Sequence, residues 1–342
     1  MAVDENLAQV SNTLIYSAML VYTGALGAYT ADLAIRGRHG AGEPAGRPRV
    51  VPAGVGASGG SSSGSRSSSA GHAADGVDDA GPAVGASRLR TKAGGIGVSL
   101  TCLAFLLHAG GVLTRGLSVQ RVPWGNMYEF SVAGSAVVTA TFLAVVFRRD
   151  VRYLGAFVVG PVLLTLGLAV AVFYTQADQL VPALHSFWLL IHVSVAFVAS
   201  ALYTLGFSTT ILQLVQERRE RARAAGRPPA RGRFMDALPS AAALDRSSYS
   251  LHVAAFPLWT FTVLAGAIWA ESAWGRYWNW DPKETWSFVI WVVYAGHLHA
   301  RATRGWDGRK AAYLVLAGYA CILMNFMIVN VFFVGRHSYG GL

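Results

Sequence analysis

Hydrophobic residues along this chain gather in long unbroken runs, not in the alternation that marks a half-buried strand or a one-faced surface helix. Eight runs approach the roughly 20 residues that a helix needs to cross a bilayer: 11–34, 94–113, 128–147, 153–174, 186–214, 250–270, 286–304 and 311–334. Polar and charged positions fall between them. Backbone groups in lipid must be satisfied within the segment, so the pattern predicts an all-α polytopic integral membrane protein of about eight transmembrane helices.

Composition agrees: 53% of residues are hydrophobic and 13% charged, about half the charged share of an ordinary soluble domain. The net charge of +10 would raise nucleic acid as a partner in a soluble protein. In a polytopic chain the placement of charge matters more, and 23 of the 28 Lys and Arg lie in alternate loops (36–92, 148–152, 218–246 and 301–310). The positive-inside rule makes those loops cytoplasmic. Both termini and the segment between the sixth and seventh spans are then outside, and lipid rather than nucleic acid is the surrounding partner.

Residues 1–35 hold the first span, and the N-terminus MAVDENLAQV lacks the basic start of a secretory signal, so that span is expected to stay attached. The loop 36–93 carries a Gly/Ser/Ala tract too poor in apolar side chains to offset its ordering entropy, which predicts disorder and leaves His39 and His72 idle. Cys102 and Cys321 each sit inside an apolar span and form no C-x-x-C pattern, so both read as small core residues.

Candidate chemistry concentrates in WGRYWNWDPKETW, residues 274–286. Six of the ten tryptophans fall between 269 and 291, too dense for an interfacial belt spread over eight spans. A shelf of indoles suits a large flat apolar ligand. DPKETW reads as a helix start: Asp281 at the N-cap, Pro282 in the first turn and Glu284 reaching back. That start and Arg276 would receive the anionic edge of the ligand. A flat aromatic body with carboxylates describes haem, whose iron would take imidazole ligands. His185 and His192 share a helix face at the outer end of the fifth span, and His337 follows the eighth, all on the tryptophan side. His297 and His299 lie near the cytoplasmic end of the seventh span and, two residues apart, cannot face the same way. His108 and His252 read as packing residues.

With these motifs in view the sequence resembles the CcsA/ResC family of System II cytochrome c synthetases, whose mark is a tryptophan-rich WWD domain. WGRYWNWDPKETW resembles the WWD core, LHSFWLLIHV the segment of the first external histidine, LHAR the transmembrane histidine, GRHSYG the second external histidine, and VPWGNMYEF a segment ahead of the third span. The resemblance covers about residues 95–342, so 94–342 is the haem-handling domain. It implies that His192 and His337 bind the iron of haem b (iron protoporphyrin IX) at an external site, on a platform of Trp274, Trp278, Trp280, Asp281 and Trp286. His299 would be the transmembrane iron ligand, and His185 drops to secondary status. The family's ResB-like polypeptide supplies the partner ligand and is absent here, so a separate ResB-like subunit is implied. The implied activity is thioether-forming haem attachment to the C-x-x-C-H thiols of apocytochrome c at a bacterial cytoplasmic membrane, by positioning and without acid or base catalysts. Two other readings fit the same residues: a haem exporter or chaperone that forms no covalent bond, and a transporter whose aromatic cage holds an organic cation.

Overall fold

The structure, a computed structural model, describes residues 3–39, 92–180, 185–227 and 233–337. Of the loop 36–93 expected to be disordered, residues 40–91 lie outside the described residues, while 36–39 and 92–93 are helical, ending the first long helix and starting the second. Among the described residues there are eight long helices and no strand: α1 (Glu5–His39), α2 (Lys92–Val119), α3 (Met127–Arg148), α4 (Gly155–Ala171), α5 (Phe187–Ala224), α6 (Ala241–Trp274), α7 (Pro282–Arg304) and α8 (Gly308–Leu323). Each predicted span has its helix. Seven of the eight are long and apolar enough to cross a membrane. The other, α7, has 23 residues, about 35 Å of rise, but carries Lys283, Glu284, His297, His299, Arg301 and Arg304. Large apolar side chains such as Leu20, Leu106, Phe147 and Leu164 face outward, which suits a hydrocarbon surround and would be a liability in water.

Local sequence sets the helix ends nearest the cavity described below. The Asn126 side chain accepts from the Glu129 N–H (2.9 Å) to start α3, and the Ser186 hydroxyl accepts from the Trp188 N–H (3.2 Å) to start α5. α6 stops at Gly275, whose φ of 73° is the left-handed conformation that glycine adopts without strain. α7 starts on Asp281 with Pro282 in its first turn and a capping box closed by Glu284, as the DPKE sequence predicts.

α1 packs along α2, and α5 along α6. Tyr22, Tyr29, Phe142 and Leu166 centre the core of the first half, and Tyr203, Trp259, Ile290 and Tyr294 that of the second. A buried charge cluster fixes the loop between α2 and α3. The Glu129 carboxylate accepts from Arg115 Nε (3.1 Å), Arg121 Nη1 (2.8 Å) and the Gly125 N–H (2.9 Å). Removing one partner of such a buried pair costs about 3–5 kcal/mol. His108 is fully buried, with Nε2 donating to the Val132 carbonyl (2.9 Å) and Nδ1 3.3 Å from the Tyr22 hydroxyl, a satisfied packing residue as the sequence indicates.

α8 continues through a π-helical turn, Met324–Ile328, into a last α-helical turn, Val329–Phe332. Such one-turn insertions concentrate at functional sites, and this one borders the cavity.

Candidate functional site

A cavity of about 530 Å³ opens among α3 to α8, within the range of about 300–1,000 Å³ typical of small-molecule sites. His192, His337, Trp269, Trp274, Trp278 and Lys283 all line it. Four of the eight sequence candidates therefore meet on one cavity, although His192 and His337 stand at the start of α5 and beyond the end of α8.

Each of these two imidazoles is oriented by a fixed acceptor. His192 Nδ1 donates to the Thr262 carbonyl of α6 at 3.0 Å. Gly266, one turn further on, permits this approach: a Cβ there would stand 2.8 Å from His192 Cε1. His337 Nδ1 lies 2.8 Å from Asp281 Oδ2. An ionised carboxylate only accepts, so the proton sits on Nδ1. In both rings Nε2 makes no hydrogen bond among the described residues and keeps its lone pair, the state of a metal-ligating histidine held by an outer partner. Indoles flank both rings edge-on: Trp269 beside His192 with centroids 5.7 Å apart, and Trp274 beside His337 at 4.9 Å.

Asp281 is buried and faces the C-terminal segment instead of a ligand shelf. Its Oδ1 accepts from the Arg336 N–H at 2.7 Å, and its Oδ2 accepts from His337 Nδ1–H while capping α7 at the Lys283 N–H (3.3 Å). Burial works against its charge, but the bonds from His337 and Arg336 outweigh it and hold the carboxyl below its ordinary range. Gly335 leaves room for this contact, since a Cβ there would stand 2.5 Å from Asp281 Oδ1.

The remaining candidates stand apart from the cavity wall. Trp280, left-handed at φ 56° and 67% exposed, packs edge-on against Trp278 and Phe288. Trp286 is half-buried on α7 and does not line the cavity. Arg276 is exposed and bonded to Asn279 Oδ1 (2.9 Å), so it does not serve the cavity as the sequence suggested. His185 is exposed, with Nε2 3.2 Å from the Leu180 carbonyl.

At the far end of α7, His299 points out of the bundle, whereas His297 is buried against His252 with ring centroids 5.4 Å apart. Neither nitrogen of His297 nor Nε2 of His252 has a hydrogen-bond partner among the described residues. Arg301 closes that end by a two-pronged pair with Asp245 (2.8 and 2.9 Å).

Sequence reasoning missed two cavity features. Lys283 points its ammonium along the wall, and Trp269 lends an indole N–H that is buried without a partner. Trp269 was countable in the tryptophan cluster, but its proximity to His192 depends on how α5 and α6 pack.

Two imidazoles with free Nε2 atoms thus share an aromatic-walled cavity inside a multi-pass helical bundle, the architecture of a membrane protein. Comparison with known proteins gives the family. Residues 124–337 match the cytochrome C assembly protein family. The chain is 33% identical to the cytochrome c biogenesis protein CcsA of Synechococcus elongatus over 300 residues, covering 76% of this chain and 88% of that protein. It is 34% identical to CcsA of Chlamydomonas reinhardtii over 253 residues, covering 72% and 67% of the two chains. The solved structure of the cytochrome c haem lyase CcmF has the same fold, with a TM-score of 0.59 at 14% identity, covering 95% of this chain and 47% of that one. This chain belongs to the CcsA family of cytochrome c biogenesis proteins and acts in cytochrome c maturation.

Proposed function

We propose that the chain holds haem b between His192 and His337 at the outer end of the bundle and, with a ResB-like partner subunit, presents it to apocytochrome c for covalent attachment. The observation that carries this reading is the pair of cavity-lining imidazoles whose Nδ1 atoms are committed to Thr262 and Asp281, leaving both Nε2 lone pairs for iron. Trp274 and Trp278 give the porphyrin an apolar wall, and Trp280 packs against Trp278 from outside. His299, exposed on α7, is the ligand that a partner would complete. The bias of Lys and Arg toward alternate loops supports an outer position for this end of the bundle and for both termini, on a bacterial cytoplasmic membrane.

In the reaction each C-x-x-C-H thiol adds across one haem vinyl group. A C–S bond forms at one vinyl carbon and the proton ends on the other, so no oxidant or reductant is consumed. The residues of this chain contribute position and an apolar surround instead of acid or base steps. A pyridine haemochrome assay on the purified chain, alone and with its partner, tests the reading. Haem is expected in the wild type and lost in H192A and H337A. Full occupancy and full holocytochrome yield in both variants would overturn it. Reconstitution with apocytochrome that loads haem without thioether bonds would favour an exporter or chaperone.

A further inference from the structure

The cavity wall holds a cation that the helix-start chemistry does not explain. Lys283 is the second residue of α7, yet its side chain turns into the bundle instead of toward the outer surface. Its Nζ donates to the Asn325 carbonyl (3.1 Å) and to Asn330 Oδ1 (2.8 Å). Both acceptors are neutral, and an ammonium has three N–H groups, so one donor remains. Lys283 makes no ion pair among the described residues. The two carboxylates nearby in sequence are committed elsewhere: Asp281 to His337 and the Arg336 N–H, Glu284 to the N–H groups of Asn279 (2.9 Å) and Asp281 (3.2 Å).

The acceptors are made for this ammonium. Within the π-helical turn the Asn325 carbonyl is available to Lys283, while its side-chain amide donates to the Ser287 hydroxyl (3.1 Å). Asn330 is pinned by its own donation to the Phe326 carbonyl (2.8 Å). Burial works against the charge of this side chain and the Asp281 carboxylate only partly offsets that, so the ammonium form is costly in the wall unless the ligand supplies an opposite charge. Within the same wall, the unpartnered Trp269 N–H is a second donor lacking an acceptor.

We propose that Lys283 is the specificity-determining cation of the cavity, receiving a carboxylate of the bound porphyrin. It takes the place that sequence reasoning gave to Arg276, and it selects a porphyrin with free carboxylates over one without. The inference rests on the haem reading above, and its test separates the two.

Purified chain is titrated with haem and with haem dimethyl ester, followed by the Soret band, for wild type, K283M and K283R. Wild type is expected to bind haem at least tenfold more tightly than the ester, K283M to bind both alike, and K283R to keep most of the preference. The two-histidine iron spectrum should persist in K283M, which a merely misfolded variant would not show. Equal binding of both porphyrins by wild type, with that spectrum intact, overturns the role of Lys283 and leaves the haem site standing. Failure of wild type to bind either porphyrin overturns the haem reading and this inference with it. The wild-type comparison decides the matter even if K283M does not fold.

Discussion

His337 donates Nδ1–H to Asp281 Oδ2 across 2.8 Å, joining the residue that starts α7 to the segment that follows α8. One carboxylate caps a helix, anchors the Arg336 backbone and fixes the tautomer of a candidate iron ligand. Asp281→Asn should keep the fold, because asparagine also caps helices, yet weaken haem at the proposed site by about 10–100-fold, the usual effect of losing an outer partner of a ligating histidine. Haem titration of the variant checks this.

The same contact gives a pH dependence. The Asp281 carboxyl is held below its ordinary range, so its stabilising effect is fully present above about pH 3.9, the ordinary aspartate value, and disappears as pH falls through the lower value in the folded protein. Hydrogen-exchange protection of the Arg336 amide should hold from neutral pH to that range and then drop. In Asp281→Asn it should be weak and flat throughout.

Gly266→Ala should displace His192, because the new Cβ would stand 2.8 Å from its Cε1. Haem affinity is expected to fall about tenfold or more, since an error near 1 Å in a positioned group can cost two orders of magnitude. The far-ultraviolet helix signal should not change.

His297 and His299 should separate cleanly. His297→Leu replaces a buried imidazole that has no hydrogen-bond partner among the described residues, so melting temperature should hold or rise. His299→Ala alters an exposed side chain and should cost at most about 0.5 kcal/mol. On the proposed reading it should nevertheless remove haem from the site that a partner subunit would complete, read by haemochrome content of the complex.

Much of this was legible in the chain. Eight apolar runs gave eight helices, because in lipid hydrogen bonding leaves the backbone little choice. DPKE gave the start of α7, because caps are local chemistry. Contacts between distant positions were not legible. Asp281 and His337 are 56 residues apart, and nothing in the tryptophan motif shows that its aspartate serves an imidazole instead of a ligand shelf. Clustering of tryptophans likewise did not reveal that Trp280 faces outward while Trp269 faces the cavity. Arg276 looked like the anion partner because it lies in the motif, but the side chain that reaches the cavity is Lys283, whose direction is set by acceptors on the π-helical turn and the last helical turn after it.

The π-helical turn at Met324–Ile328 sets a phase. Removing one of its residues to restore regular winding would rotate everything downstream by about 100° and draw it back by about 1.5 Å. Val329–Phe332 would then present a different face to α7, Asn330 would swing off Lys283, and the chain leading to His337 would leave from the wrong azimuth. The angular placement of the last imidazole thus depends on a single winding irregularity a dozen residues before it.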